Sequence, residues 1–349
     1  MVLWRTILHN TTHLQGESGM GIVILYLVGV AFLAVAGFWL IDRHIRKKGT
    51  NRRATPQLKK KWEPYMFLLP TLLLLLFMFG YPLINSFIMA FQNYKLTAPT
   101  KIHFNGLDNF RKLFGESDIW LIIRNSFTYV VVSVAGQFLL GLILALALNK
   151  RFRLRGLYQA IVFLPWSLSA FVIGLMHRWS FNGEYGVVND MLLKLSIVNE
   201  KIAWLGTPGF SLAVVIIAMI WMGIPFFAIM ILASLQSIPV NIYEASHIDG
   251  CGPLRRFFQI TIPYIKPTII VTILLRTIWI FNSFDLIVVI TNGGPANYSQ
   301  TLPSYMYTKA FSSYDFGLAS ALGVLLMAVL VVYVVLFLKT TRYNKAGNF

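Results

Sequence analysis

The sequence has few acidic residues and almost no cysteine. Its 349 residues include 13 Asp and Glu against 30 Lys and Arg, and Cys251 is the only cysteine. A single cysteine excludes an internal disulfide framework and leaves no C-x-x-C cluster for a metal or redox site. The few carboxylates and the scattered histidines give no metal-ligand cluster and no nucleophile–base pair, which most enzymes need. These absences argue against a disulfide-stabilised protein and against most enzymes.

Apolar residues are abundant and occur in long runs. Hydrophobic residues make up 57% of the chain and charged residues only 12%, which is more apolar than soluble cores require. Several runs reach the roughly 20 residues that a helix needs to cross a bilayer. The pattern predicts an all-α polytopic membrane protein with about seven transmembrane helices, at residues 20–41, 65–91, 127–148, 157–178, 211–235, 268–290 and 317–338.

Basic residues concentrate on one side of the predicted spans. Nineteen Lys and Arg fall in one set of connecting segments and ten in the other. Because basic loops are retained in the cytoplasm, this asymmetry predicts a cytoplasmic carboxyl terminus and an amino terminus outside. The net charge of +17 is thus a topology signal, and no nucleic-acid partner is expected. The richer set comprises residues 42–64, 149–156, 236–267 and 339–349.

The first predicted span has two interpretations. It could be a cleaved signal peptide, because it is N-terminal and hydrophobic. Its basic cluster follows the apolar run, however, which fits a retained signal anchor better. Residues 43–61 then form a cytoplasmic linker, solvated or in contact with anionic lipid heads.

A polar and basic insert, YEASHIDGCGPLRRFFQITIP, runs from Tyr243 to Pro263 between two predicted spans. Asn241 is expected to cap a helix that ends near Asp249, with Glu244 reaching back as in a capping box. Gly250 suits a left-handed turn, and Pro253 suits the first position of a second helix ending at Pro263. Such an elbow either docks in a partner's groove or lies on lipid heads.

The insert resembles the EAA motif of ATP-binding-cassette (ABC) importer permeases. The matching residues are Glu244-Ala245-Ser246, Gly250 and Ile260-Thr261-Ile262-Pro263, with Ser246 and Ile262 where Ala and Leu are usual. The resemblance continues through FNSFDLIVVITNGGP and SYDFGLASA, covers most of residues 65–340, and is similar to the carbohydrate-uptake branch. It implies a type I ABC importer permease fold, with a six-helix core and one extra N-terminal span.

The resemblance also implies an organisation and a set of partners. Residues 1–64 would hold the extra anchor and the linker, and residues 65–349 the permease domain with its coupling loop at 240–263. The partners would be a second homologous permease, an ABC ATPase dimer, an extracytoplasmic solute-binding protein, membrane lipid and a carbohydrate substrate, in a bacterial cytoplasmic (inner) membrane. The chain lacks a G-x-x-x-x-G-K-[ST] loop, so no cofactor is expected on it, and ATP and Mg would be used by the ATPase subunits.

By the same resemblance the elbow would couple ATP-driven closure of the ATPases to alternating access. The residues expected to carry this coupling are Glu244, Ala245, Ser246, Asp249, Gly250, Ile260 and Pro263.

Polar side chains inside a span usually face the bundle interior or a watery cavity. In the span 268–290, Arg276, Trp279 and Ser283 share a helical face, and Asp285 should point about the opposite way. Arg276 either snorkels to the cytoplasmic surface or lines the pathway and pairs with another helix or with the second permease subunit. Together with positions taken from the resemblance, the predicted solute-binding residues are Trp166, Ala170, Met222, Gly223, Phe226, Trp279, Asn282 and Ser283.

The predicted outer loops complete this picture. Residues 104–114 suggest a short surface helix, and residues 179–210 and 291–311 form the rest of a rim that would receive a binding protein. Two other classes stay open. A membrane-embedded glycosyl- or acyltransferase would need more acidic or histidine residues near the interface, and a secondary transporter would have no use for the elbow.

Overall fold

The computed structural model describes Tyr65 and residues 68–150 and 152–341. The predicted span 20–41 and the linker 43–61 lie outside the described residues. By its internal contacts the chain divides into one unit that ends at Ser86 and a second that begins at Phe87. The cavity and the elbow both belong to the second unit.

The described residues are helical, with two isolated β-bridges, Gln92 with Phe104 and Lys95 with Asp315. We number the helices in chain order. They are α1 (Leu68–Met89), α2 (Asp108–Gly115), α3 (Ile119–Asn149), α4 (Arg155–Ser167), α5 (Ala170–Ser180), α6 (Val187–Lys194), α7 (Phe210–Gln236), α8 (Val240–Ile248), α9 (Pro253–Asn282), α10 (Asp285–Ile290), α11 (Leu302–Tyr307) and α12 (Phe316–Thr341).

Five of these helices are long and apolar enough to cross a membrane, namely α1, α3, α7, α9 and α12. A sixth span results if α4 and α5 are counted together. The six spans predicted after residue 64 therefore all fall on helical segments, although the predicted total of seven includes one outside the described residues. The short helix expected within 104–114 is present as α2.

Two predicted spans differ from the structure. The span 157–178 is not one straight helix, because α4 and α5 meet at an angle of 94°. Pro165 lies in the last turn of α4, and the hydroxyl of Ser169 caps α5 by accepting a hydrogen bond from the backbone N–H of Val172 at 3.3 Å. The span 268–290 is wrong at both ends, since α9 starts at Pro253 and stops at Asn282, where the backbone of Ser283 becomes extended.

Helices α3 and α7 form the most extensive pair in the fold. A Cβ atom on Gly141 would lie 2.5 Å from Cβ of Phe227, and one on Gly136 would lie 2.5 Å from Cδ1 of Ile220. Small residues let the backbones of membrane helices approach closely, which favours dispersion contacts in the absence of a hydrophobic driving force. The glycines of α3 therefore set the spacing of this helix pair.

Polar contacts fix the segments at the end of the bundle that is predicted to face outward. The carboxylate of Glu116, just before α3, accepts hydrogen bonds from Nζ of Lys309 at 2.6 Å and from the hydroxyl of Tyr305. Burial alone would lower the pKa of Lys309, but its hydrogen bonds with Glu116 and Tyr305 outweigh burial and raise that pKa above its ordinary value. The segment after α10 is thus attached to the start of α3.

A second polar centre organises residues 182–206. The side chain of Asn189, on α6, is fully buried. Its Nδ2 donates to the carbonyls of Gly183 and Ile202, both at 2.9 Å, and its Oδ1 accepts from the backbone of Ile202 and from Nε1 of Trp204. One buried amide therefore pairs with four polar groups of this segment.

Candidate solute cavity and coupling elbow

A cavity of about 240 Å³ opens where α4, α5, α7, α9 and α10 meet. The bend between α4 and α5 and the end of α9 at Asn282 both place loop residues at its wall. It is lined by Trp166, Leu168, Ala170, Met219, Met222, Arg276, Trp279, Ile280, Ser283, Asp285 and Leu286.

Five of the eight predicted solute-binding residues line this cavity: Trp166, Ala170, Met222, Trp279 and Ser283. They come from four separate segments, so the fold brings together what the sequence analysis collected from distant positions.

The other three predicted residues lie elsewhere. Phe226 stands behind the wall, with its ring centroid 6.0 Å from that of Trp166 and 6.4 Å from that of Trp279. Gly223 faces the side chain of Gln137, and a Cβ atom there would lie 2.2 Å from the Gln137 Cδ atom. Asn282 is exposed, and its Nδ2 donates to the carbonyl of Ile278 in its own helix at 2.8 Å.

Arg276 does not snorkel to the membrane surface. Its side chain is only 1% exposed, and its Nε donates to Oε1 of Gln137, on α3, at 2.7 Å. Pairing with another helix at the cavity wall was the second of the two interpretations drawn from the sequence. Its Nη2 also lies 3.9 Å from the sulfur of Met219, a weak acceptor.

The expected position of Asp285 is wrong. A continuous helix would have turned Asp285 about 180° away from Arg276, but both residues line the same cavity. The reason is that α9 ends at Asn282 and α10 starts at Asp285, so helical periodicity does not relate the two side chains.

The sequence analysis missed several residues of the site. Met219, Leu168 and Leu286 are apolar residues within apolar segments, and no sequence signal distinguishes them from core residues. Gln137 is different, because a buried amide in the middle of an apolar run is the kind of residue that usually marks a polar interior. Tyr129 is also buried, and its hydroxyl lies 3.3 Å from that of Ser283.

The cavity wall combines aromatic rings with polar groups. Two indole rings, of Trp166 and Trp279, stand near the hydroxyl of Ser283 and the carboxylate of Asp285. Aromatic faces bind apolar C–H surfaces, while hydroxyl and charged groups fix orientation by hydrogen bonds. The site can therefore hold a molecule that has one apolar face and several hydroxyl groups.

The elbow consists of α8, a tight turn, and the start of α9. Gly250 has a φ of +69°, which confirms the predicted left-handed turn, and Pro253 occupies the first position of the next helix as expected. The backbone N–H of Cys251 donates to the carbonyl of Ser246 at 2.9 Å, and Nη2 of Arg256 donates to the carbonyl of Cys251 at 3.0 Å. These contacts close the turn.

Two expectations about the elbow were wrong. Asn241 does not cap α8, because the helix already begins at Val240 after Pro239, and no side chain caps it. The second elbow helix does not end at Pro263, since it continues through a π-helical turn, Phe257–Thr261, into the long helix α9. Pro263 is tolerated there because it lies at the start of the α-helical part that follows the π turn.

The predicted coupling residues differ in exposure. Glu244, Ala245, Asp249 and Gly250 are exposed, Ile260 and Pro263 are half-buried, and Ser246 is buried, with its hydroxyl donating to the carbonyl of Tyr243 at 2.7 Å. Between them stand two exposed apolar side chains, Ile248 at 87% and Leu254 at 75%. The hydroxyl of Tyr243 lies 3.1 Å from that of Thr261 and links the two helices of the elbow.

The chain has several helices that are long and apolar enough to span a membrane, a cavity between helices and an exposed elbow. These features define a multi-pass membrane protein of the transporter class. The chain belongs to the family of binding-protein-dependent transport system inner membrane components, whose sequence profile matches residues 137–341. The resemblance to ABC importer permeases is thereby confirmed, so the chain is an inner-membrane permease subunit and not an enzyme.

Relatives of known name are similar over most of their length. The sulfoquinovosyl glycerol transport system permease protein SmoG of Agrobacterium fabrum is 35% identical over 277 residues, which cover 79% of this chain and 89% of that protein. The trehalose/maltose transport system permease protein MalF of Thermococcus litoralis is 32% identical over 281 residues, covering 80% and 94%.

A solved structure has the same fold. A chain of a bacterial ABC transporter that imports the acidic polysaccharide alginate superimposes with a TM-score of 0.71 at 27% identity. The superposition covers 82% of the present chain and 96% of the other.

Proposed function

We propose that this chain forms part of the translocation pathway of an ATP-driven carbohydrate importer, and that its solute is an oligosaccharide. The observation that carries the proposal is the cavity, in which Trp166 and Trp279 stand beside the hydroxyl of Ser283. A sugar ring offers a C–H face for stacking and hydroxyls for hydrogen bonds, and this wall provides both kinds of partner. Relatives named for trehalose and maltose uptake and for alginate import support a saccharide cargo.

The cavity lining supports a set of proposed solute contacts. Trp166, Ala170, Met222, Trp279 and Ser283 would touch the sugar directly, and Phe226 would support the two indoles from behind. Gly223 and Asn282 stay predictions from the sequence. A second homologous permease would complete the pathway.

Coupling is proposed to run through the elbow. Exposed apolar side chains beside a tight glycine turn suit a groove on another protein better than they suit water. The family resemblance implies that this protein is a cytoplasmic ABC ATPase subunit. ATP and Mg bound by an ATPase dimer would drive closure, and the elbow would transmit it as alternating access. The carboxyl terminus would then be cytoplasmic and the amino terminus outside, with a solute-binding protein delivering sugar to the outer rim.

The direct test is purification of the tagged chain from its native membrane in mild detergent, with mass spectrometry of the proteins that accompany it. We expect an ABC ATPase, a second permease with an EAA motif, and a solute-binding protein. The binding protein is then screened for saccharides by thermal shift. Recovery of the chain alone, or a binding protein that recognises only amino acids or metal ions, would contradict the proposal.

A further inference from the structure

Arg276 is an unusual residue for the wall of a solute cavity, because it carries a charge but is almost inaccessible. Only 1% of its surface is exposed. Among the residues that the structure describes, its guanidinium has no carboxylate partner, although Asp285 lines the same cavity. A buried charge without a counter-ion is costly. The Arg276 guanidinium therefore needs another stabilising contact.

Two aromatic rings provide that contact. The guanidinium carbon of Arg276 lies 5.4 Å from the ring centroid of Trp279 and 5.7 Å from that of Phe226. Both distances are within the range of about 6 Å for attraction between a cation and an aromatic face. Trp279 is itself 55% exposed in this chain and lines the cavity. The buried charge therefore holds a ring that is itself open to the cavity and free to meet a solute.

The arginine is in turn held from α3 and α7. Oε1 of Gln137 accepts from Nε of Arg276 at 2.7 Å, while Nε2 of Gln137 donates to the carbonyl of Met219 at 2.7 Å. The Gln137 amide fits only because position 223 is glycine, since a Cβ atom there would lie 2.2 Å from its Cδ atom. Both ends of the amide are satisfied, so its orientation is fixed.

We propose that Gly223, Gln137 and Arg276 form a support that positions the Trp279 and Phe226 rings, and that this support determines which saccharides the permease accepts. Arg276 borders the cavity but is almost inaccessible, so its role in this proposal is that of a positioning residue that acts through Trp279. The inference rests on the proposed carbohydrate cargo, and it adds that selectivity depends on buried residues that act through the Trp279 and Phe226 rings.

The test uses the complete transporter reconstituted in proteoliposomes with its own binding protein at saturating concentration. Uptake rates are measured for radiolabelled maltose, trehalose, cellobiose and sucrose, and for digalacturonate as an acidic probe. Because every permease variant receives sugar from the same binding protein, a changed ratio between two sugars belongs to the permease. Equal amounts of assembled complex are verified for each variant before uptake is measured.

We expect Arg276→Met, which keeps an unbranched apolar stem and removes the charged guanidinium, to change the rate ratio between the best and second-best neutral sugars by about five-fold. Arg276→Lys keeps a cation and should fall between Arg276→Met and the wild type. Gln137→Leu should shift the ratio in the same direction as Arg276→Met. The control is Thr272→Val, on the same helix, because the Thr272 hydroxyl is fully buried and, within the described part of the chain, bonds only to the carbonyl of Thr268.

Three results would overturn the inference. If the wild type imports a neutral sugar and Arg276→Met keeps its ratios, the support has no role in selectivity, while the proposed function stands. If Arg276→Met loses digalacturonate alone, the guanidinium contacts the solute and is not a positioning residue. If the wild type accumulates none of the five saccharides, the proposed function fails, and the inference fails with it.

Discussion

The elbow and the cavity distribute polar and apolar side chains in opposite ways. The elbow exposes Ile248 and Leu254 to solvent, whereas the cavity region buries Arg276 and Gln137 among membrane helices. The buried polar groups are satisfied inside the chain, by one another and by aromatic rings. Among the described residues, the exposed apolar side chains of the elbow have no such partners. The buried polar groups of the cavity wall are therefore paired within the chain, whereas the elbow presents apolar side chains to solvent.

The largest expected effect is at the elbow turn. We expect Gly250→Asp to abolish uptake while the protein still inserts in the membrane, because a side chain at φ +69° strains the turn and a carboxylate alters the docking surface. Gly250→Ala should retain part of the activity, since it adds only the backbone strain, about 1 kcal/mol.

Gly252→Ala is the matched control, because position 252 lies in the same turn with a φ of −64° and open space around its Cβ. Normal uptake by Gly250→Asp would remove the turn from the coupling mechanism. It would also weaken the contrast between a cavity wall whose buried polar groups are paired within the chain and an elbow whose exposed apolar residues are expected to bind a partner.

The second effect tests whether the exposed apolar side chains bind a partner. Ile248→Asp should lower co-purification of the ATPase several-fold, because a hydrophobic anchor at an interface is replaced by a charge. The thermal midpoint of the isolated permease should not change, since Ile248 is 87% exposed in it. Leu195→Asp, at a residue 69% exposed at the end of α6, is the control. Equal ATPase recovery from both variants would argue for an elbow that lies on lipid heads.

The third effect concerns the cavity surface. Trp279→Ala and Ser283→Ala should change the relative uptake of different sugars by several-fold before they reduce expression, because each lines the cavity. The measurement is competition between labelled and unlabelled saccharides in cells with equal permease levels. Unchanged kinetics with every sugar transported would exclude these two residues from the site.

The smallest expected effect concerns the end of the bundle that is predicted to face outward. Lys309 and Glu116 form a partly buried ion pair there. Lys309→Met should lower the free energy of unfolding by about 1–2 kcal/mol, since it leaves Glu116 without its charged partner. Lys95→Met should cost less, because Lys95 is 46% exposed beside Asp315. Both are measured as thermal midpoints in detergent, and an equal loss would contradict the ranking.

The Lys309 pair also has a defined pH dependence. Its folded pKa is raised, so its contribution to stability is fully present below the ordinary lysine pKa of about 10.4 and is lost only as pH rises through the higher folded value. The difference in thermal midpoint between wild type and Lys309→Met should therefore stay constant from pH 6 to about pH 9. A difference that shrinks within that range would indicate that another group titrates.

Local signals made the elbow and the spans predictable. A glycine suited to a positive φ and a proline suited to the first position of a helix define the turn at Gly250 and Pro253, and length with hydropathy defines the spans. The capping prediction at Asn241 failed because the residue before it, Val240, is already helical. The local sequence does not distinguish a helix that begins at Val240 from one that begins after a cap at Asn241.

The cavity was predictable only in part. Trp166 and Trp279 could be proposed from residue type and family resemblance, but the contact between Arg276 and Gln137 joins residues 139 positions apart. Such a pairing depends on how helices pack, which one sequence does not determine. The end of α9 at Asn282 was missed for a related reason, because apolar residues continue beyond it and hydropathy does not register a change of backbone direction.

Helix α9 has a mechanical consequence. It runs for 30 residues from the elbow to the last residue before Ser283, with a π-helical turn, Phe257–Thr261, near its start, a length of about 45 Å. Arg276 and Trp279 stand on its final two turns. If the elbow couples as proposed, this helix would act as a lever, and a tilt of about 10° at Pro253 would displace its far end by about 8 Å, more than the width of a sugar ring. A push on the elbow would then change the walls around the cargo.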